Sequence, residues 1–300
     1  MALPVKITFL GTADQIPSAD RNHSAILITY DGENILVDCG EGTQRQFRKA
    51  GLNPCKITKI LITHIHGDHV FGLPGLLSTL NFSGYNKKLD IYGPRGIKNF
   101  LSDFLALPEV ARGFEIAIHE ASGKFFDADD FFLETEKMEH GIPCNAYNFV
   151  VKEKRRLDKK KLEKMKIPAG PHLSQLKDGK DIVLDGKKYK SKDLVYVEEG
   201  KKISIILDTK NNPRIVPFVK EADLFICESE FSEELKDQAE EHLHMTSVGA
   251  AECAKKAKVE KLVLTHISQR YEKNMGKILN EAKKIFKNSN VAKDFDTITI

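Results

Sequence analysis

Short apolar runs rich in β-branched residues recur along the chain, separated by Gly, Pro, Asp and Asn: KITFL (6–10), SAILITY (24–30), ENILVD (33–38), KISIILD (202–208) and ADLFICE (222–228). Runs of this length bounded by turn formers predict strands. Longer stretches with helical spacing and cap signals predict helices over GTQRQFRKAG closing at Gly51, in the stretch after His69, over MTSVGAAECAKKA (245–257) and over KNMGKILNEAKKIF (273–286). Strands and helices interleaved in one chain predict α/β layers. KILITH (59–64) and KLVLTH (261–266) form an internal echo, two short apolar strands that each end in Thr-His. They suggest two related halves delivering a histidine to one site.

One segment breaks the pattern. Between Lys152 and Lys192 there are fifteen Lys or Arg against six Asp or Glu, so the rest of the chain is net acidic although the whole carries only +3. Its densest part, KEKRRLDKKKLEKMK (152–166), has nine basic residues and three acidic ones, with few apolar positions from which to build a core. A solvated helix or loop is one reading of such a run. A polyanion-binding arm is the other, because phosphates would offset the self-repulsion of so many like charges.

Composition narrows the class. The chain has 300 residues, 41% hydrophobic and 30% charged, which suits one large domain or two small ones and not disorder. No stretch approaches the ~18 consecutive apolar residues of a membrane-spanning helix, and MALPVKITFL lacks the basic-then-apolar pattern of a signal peptide, so the expectation is a cytosolic chain. Cys39, Cys55, Cys144, Cys227 and Cys253 have no C-x-x-C spacing and an odd count. They read as reduced, mostly buried thiols.

The chemistry concentrates in THIHGDHVFGLPGLL (63–77). A loop after a strand can aim His64 and His66 the same way while Asp68 and His69 turn the corner into a helix. Imidazole and carboxylate donors without cysteine suit zinc or another first-row divalent ion. Four such donors within six residues exceed what one open catalytic ion needs, which implies two metals. The remaining donors are candidates by context: His140 before a Gly-Ile-Pro turn, Asp208 ending the SIIL strand, and His266 ending the KLVLT strand.

HIHGDH is the ligand motif of the metallo-β-lactamase superfamily. FLGTADQIPSADRNHSAILI, VDCGEGTQRQF, HLHMTS and LTHISQRY together resemble the tRNase Z family, endonucleases that trim the 3′ ends of precursor tRNA. The resemblance runs from Phe9 to Tyr271 and implies a four-layer αββα sandwich formed by 1–151 and 203–300, with 152–202 inserted as a flexible basic arm. It implies two Zn2+ per chain, or Mn2+ or another divalent ion in their place. One would be held by His64, His66 and His140, and the other by Asp68, His69 and His266, with Asp208 as the bridge. A hydroxide held by the pair would attack the phosphodiester after the discriminator nucleotide, leaving a 3′ hydroxyl on the tRNA and a 5′ phosphate on the trailer. Asp68 would also act as general base and His244 of the H-x-T motif would help protonate the leaving oxygen, with Glu228 orienting His244. His242 matches no family position and reads as a surface residue. Substrate contacts are implied at Arg21, Asn22, Thr246 and Arg270, and in the arm at Lys154, Arg155, Arg156 and the Gly170-Pro171 pair. The resemblance further implies a homodimer and no membrane partner.

Two positions depart from the family. Leu207 precedes Asp208 where the family has glycine, which would matter if that position needs a backbone only glycine adopts. Ala19 stands where the P-x-K-x-R-N loop has lysine, which bears on recognition of the tRNA acceptor end. Two other functions compete: a superfamily hydrolase of a small substrate such as a β-lactam or thioester, and a tRNA-binding module without catalysis. The basic arm speaks against the first, and the complete ligand set against the second.

Overall fold

The computed structural model describes residues 3–106 and 113–300. They divide into two compact units, 3–149 with 202–300, and 150–201.

The larger unit is built on two seven-stranded sheets. The first runs, in spatial order, Thr297–Thr299, Lys6–Gly11, Ala25–Tyr30, Glu33–Val37, Lys59–Leu61, Leu89–Gly93 and Ile116–Glu120, antiparallel as far as Glu33–Val37 and parallel beyond it. The second runs Ser289–Val291, Leu262–Thr265, Leu224–Glu228, Lys201–Ile206, Cys144–Val151, Phe131–Met138 and Gly123–Asp127, with its first four strands parallel. The strands forecast at the two ends of the chain are all present.

Period-two alternation assigns the faces. Leu10, Leu27, Leu36 and Ile60 of the first sheet pack with Phe47, Leu73, Leu76, Leu77, Leu80 and Leu101 from the helices Thr43–Lys49, Leu73–Phe82 and Ile97–Ala106. On the second sheet, Ile206, Phe225, Cys227, Leu262 and Leu264 pack with Ala250, Ala254, Ile278 and Ala282 from Ser247–Ala257 and Met275–Ile285. The other faces meet: Tyr30 lies edge-on to Phe149 of the second sheet, ring centroids 5.6 Å apart, and Tyr147 donates to the Ile62 carbonyl at 2.6 Å. This is the αββα sandwich, with apolar layers on both sides of each sheet.

The 150–201 unit differs from what its charge suggests. It contains two antiparallel ladders, Lys154–Leu157 with Val195–Glu198 and Ile182–Leu184 with Lys187–Tyr189, and the short helices Lys159–Lys164, His172–Lys177 and Ser191–Leu194. Leu162, Ile167, Leu176, Ile182 and Leu194 form a small core of their own. Apolar residues widely spaced in the sequence converge there, so a window-by-window count of the basic run misses them. Of the cysteines, Cys55 is half-buried and the other four are buried, all as free thiols. Among the described residues no helix is long and apolar enough to cross a membrane.

Leu176 is fully buried in this small core. Leu176→Ala is expected to lower the local stability of residues 150–201 by about 2–5 kcal/mol. Hydrogen exchange should then accelerate in that segment while the Lys6–Gly11 and Leu224–Glu228 strands keep their protection.

Candidate metal centre

The site lies where strands of both sheets end. His64 follows Lys59–Leu61, His140 follows Phe131–Met138, Asp208 follows Lys201–Ile206 and His266 follows Leu262–Thr265, while Asp68 and His69 ride on the short helix Gly67–Val70. Carboxyl ends of strands are where α/β folds place ligands, because loops there are free to carry chemistry while the sheet fixes their roots. The Thr-His echo at 63–64 and 265–266 therefore delivers one histidine from each sheet. A Cβ on Gly72 would collide with the Gly40 carbonyl, so the small residue lets the helix after His69 seat against the loop after the Glu33–Val37 strand.

The seven residues form two groups whose donor atoms lie within 4.8 Å of one another: His64, His66, His140 and Asp208, and Asp68, His69, Asp208 and His266. Asp208 belongs to both. Its Oδ2 is 3.4 Å from His64 Nε2, and its Oδ1 is 3.3 Å from both His69 Nε2 and His266 Nε2. Burial opposes its charge, but the surrounding imidazoles, His266 first, hold the carboxyl well below the usual range.

The atoms that converge fit a metal. His69 Nε2 and Asp208 Oδ1 are buried without a hydrogen-bond partner. His66 Nδ1 faces His64 Nε2 at 3.0 Å and His140 Nε2 at 3.2 Å, three ring nitrogens pointed at one another. The opposite ring nitrogens explain which tautomers stand there. His69 Nδ1 donates to Asp38 Oδ2 at 2.6 Å and His140 Nδ1 to the Leu243 carbonyl at 3.3 Å. Thr63 Oγ1 donates to Asp38 Oδ2, so it accepts from His64 Nδ1 at 3.0 Å. Ser24 Oγ donates to the Ala13 carbonyl and accepts from His266 Nδ1 at 3.0 Å. With Nδ1 engaged outward, four histidines turn Nε2 to the centre, the atom that metal ligation needs. Burial depresses the pKa of His64, and brings that of His140 down to about 4, which keeps both imidazoles neutral.

Asp38, Thr63 and Ser24 are functional residues that the motif reading passed over. Asp38 is fully buried and takes a left-handed backbone, φ 56°, as does His266 with φ 52°. Two non-glycine residues in that region at one site are strained conformations held by their surroundings. Asp in VDCGEG was the available signal, and only its fold partners give it meaning.

The other residues singled out in the sequence divide. His244 and Glu228 come together: His244 Nδ1 lies 2.9 Å from Glu228 Oε1, on a side chain with no exposure. Burial works against a charged His244, yet Glu228 and Glu230 raise its pKa from 6.5 to about 12, which makes it an imidazolium. Glu230, absent from the sequence reading, sits 3.0 Å from His244 Nε2. His242 is exposed, stacks on Phe231 and lines the cleft of about 540 Å³ that opens on the metal groups.

Arg21, expected at the substrate, has its guanidinium turned inward. It is 8% exposed and donates to Thr12 Oγ1 at 2.7 Å and the Ala292 carbonyl at 2.9 Å, so it braces the loop from within. Thr246 is the N-cap of Ser247–Ala257 and donates to Glu233 Oε2 at 2.6 Å, a structural role at the site's edge. Asn22 is half-buried and donates to the Glu41 carbonyl; Arg270 is exposed, with its guanidinium over the Phe231 ring. Lys154 and Arg156 are in the first ladder of the smaller unit, and Arg156 pairs with Glu198 at 2.9 Å. Arg155 is exposed in the same strand, and Gly170-Pro171 leads into the helix His172–Lys177. Leu207 is buried and does not take a left-handed backbone, so the position before Asp208 places no demand that only glycine meets. Ala19 is exposed on the loop surface.

Known proteins share this architecture. A protein from Oceanobacillus iheyensis named ribonuclease Z is 40% identical over 99% of this chain and all of its own length. The chain belongs to the ribonuclease Z family. The family's Methanococcus aeolicus member is 37% identical over 97% of this chain and 92% of its own. Human tRNase Z, short form, aligns at 30% identity with a TM-score of 0.71, covering 98% of both chains. The metallo-β-lactamase fold protein YhfI from Bacillus subtilis, 20% identical with a TM-score of 0.72 over the whole of both chains, shares the fold. A family model described as Anti-Pycsar protein Apyc1 matches residues 5–109, the part that carries His64 to His69 and not His140, Asp208 or His266.

Because Asp208 is common to both groups, Asp208→Ala is expected to lower bound metal at both, whereas His140→Ala should weaken one alone. Asp38→Asn, which touches no metal-facing atom, should weaken metal affinity about 10–100-fold by releasing the His69 and His64 rings. Elemental analysis of dialysed protein at set free-metal concentrations measures all three.

Proposed function

We propose that this chain is a metal-dependent endoribonuclease that removes the 3′ trailer of precursor tRNA after the discriminator nucleotide, leaving a 3′ hydroxyl on the tRNA and a 5′ phosphate on the trailer. The observation that carries the reading is the carboxylate of Asp208 shared between two histidine groups, with the His244 imidazolium beside it: His244 Nε2 is 4.0 Å from Asp208 Oδ2. Two divalent ions, zinc by donor chemistry, would be held by His64, His66, His140 and Asp208 and by Asp68, His69, Asp208 and His266. When bound, they supply a nucleophile at neutral pH and neutralise charge on the phosphodiester.

The protein's own groups do the rest. Asp68 Oδ2, 3.1 Å from His69 Nε2, stands at the rim of the second group, where a carboxylate can orient and take a proton from the attacking water. His244 holds a proton at Nε2, which faces the cleft, and gives it to the leaving 3′ oxygen. Glu228 fixes the ring through Nδ1 and is itself held by the Thr209 backbone N–H at 2.8 Å.

RNA affinity would come from the 150–201 unit. Within it, Arg156, Lys159, Lys160, Lys177 and Tyr196 line a recess of about 430 Å³, cations beside an aromatic ring. Such a surface positions phosphates without reading bases. Hydrolysis of a small substrate as the main function gives no use for it. The protein would act in the cytoplasm, as a homodimer.

The deciding experiment is cleavage of a 3′-extended precursor tRNA with and without chelator, with both product ends mapped. A single metal-dependent cut beside the discriminator base is expected, and no cut by metal-loaded protein would overturn the proposal. His244→Ala should lower turnover by about 10²–10⁴-fold while bound metal stays near the wild-type level. Replacing Lys159 and Lys160 together with Ala should weaken precursor binding and reduce the slope of log affinity against log salt by about 1–2. Hydrolysis of a small phosphodiester should be unaffected in that double variant.

A further inference from the structure

Glu230 is a buried carboxylate that pairs with the His244 imidazolium and has lone pairs to spare. It is 4% exposed, its Oε2 has no hydrogen-bond partner, and it lines the metal cleft. One ion pair leaves other lone pairs of a buried carboxylate open, and a further donor from the cleft would complete them. Orienting His244 does not need it, because Glu228 already holds the other ring nitrogen. Oε2 lies 3.0 Å from His244 Nε2, and a Glu230 carboxylate oxygen, His244 and His266 have donor atoms within 4.8 Å of one another. Glu230 therefore flanks the one nitrogen that serves the leaving group, on the edge of the second metal group.

The leaving group dictates what can stand there. In the reaction proposed above, the water oxygen bonds to phosphorus, the bond from phosphorus to O3′ breaks, and the proton on His244 Nε2 passes to O3′. For that transfer O3′ must come within hydrogen-bond distance of Nε2. The vicinal hydroxyl on the same ribose then falls beside Nε2 as well. A carboxylate at this spot repels a phosphate oxygen and accepts only a donor, and O2′–H is the donor that the leaving ribose carries next to O3′. Resting on the reading of this chain as an RNA endonuclease, we propose that Glu230 accepts a hydrogen bond from the 2′-hydroxyl of the nucleotide whose O3′ leaves, and so is the residue that requires ribose at the cut. A site built around a substrate hydroxyl rejects the analogue without it, because the protein's buried acceptor is then left unpaired.

The test uses two 3′-extended precursor tRNAs that differ only by a 2′-deoxy sugar at the nucleotide 5′ to the cut, with the wild-type protein, Glu230→Ala and Glu230→Gln. The wild type is expected to cleave the all-ribose precursor about 10–100-fold faster in kcat/KM than the deoxy one, the range for a hydrogen bond to a charged group. Glu230→Ala should fall on the ribose precursor to about the rate for the deoxy one, bringing the ratio within roughly 3-fold, with bound metal unchanged by elemental analysis. Glu230→Gln keeps an acceptor oxygen, and its ratio should lie above that of the alanine variant. An undiminished ratio in Glu230→Ala would overturn the assignment. So would an equal loss on both precursors, which would mean that Glu230 acts through His244. Wild-type protein that cuts neither precursor would instead refute the endonuclease reading on which the inference stands, a result distinct from cleavage without sugar discrimination.

Discussion

The site is organised by one carboxylate in a place where water cannot solvate it. Asp208 is 3% exposed and faces ring nitrogens of His64, His69 and His266 at 3.3 to 3.4 Å. A negative charge so placed is tolerated only if cations complete the cluster, because desolvation costs several kcal/mol per ion unless geometry and partners repay it. The same constraint explains why the surrounding imidazoles show their lone pairs to the centre and their protons to the outside.

What keeps those lone pairs in place is a ring of acceptors behind them. Asp38 takes the proton of His69 directly and that of Thr63, which in turn receives His64. Ser24 and the Leu243 carbonyl do the same for His266 and His140. Asp38, Thr63 and Ser24 stand beside strand ends, and Leu243 is the C-cap of the helix Lys236–His242. Asp38 and His266 reach their positions through left-handed backbone at the ends of Glu33–Val37 and Leu262–Thr265, one on each sheet. Each sheet thus contributes one left-handed turn toward the same centre.

The His244 side of the cleft obeys a different logic. There the charges are carboxylates around a cation, with Glu228 on one ring nitrogen and Glu230 near the other. One acid would suffice to hold the ring. The second is buried at the edge of the cleft, and an acceptor set beside a proton donor is the arrangement that two adjacent oxygens of a ribose would meet. The basic 150–201 unit, by contrast, offers exposed cations that act through charge and carry no such stereochemistry.

Apolar periodicity in the sequence marked many of the strands and helices of the sandwich, and the H-x-H-x-D-H spacing marked His64, His66, Asp68 and His69, because both are local properties that a linear reading can detect; His140, Asp208 and His266 were candidates by context and by resemblance to a family. The sequence made the basic segment visible but not its core, because Leu162, Leu176, Ile182 and Leu194 are too far apart in the chain to register as a pattern. It placed Arg21 at the substrate, whereas the fold turns that side chain inward to Thr12 and Ala292. It raised a concern over Leu207 that the backbone at this position removes. Asp38, Ser24 and Glu230 acquire roles only from partners tens to hundreds of residues away, at His69, His266 and His244. Ligand identity is written in residue type and spacing, whereas tautomer, charge and aim depend on which distant groups the closed sandwich sets against each ring, and only the tertiary structure decided those.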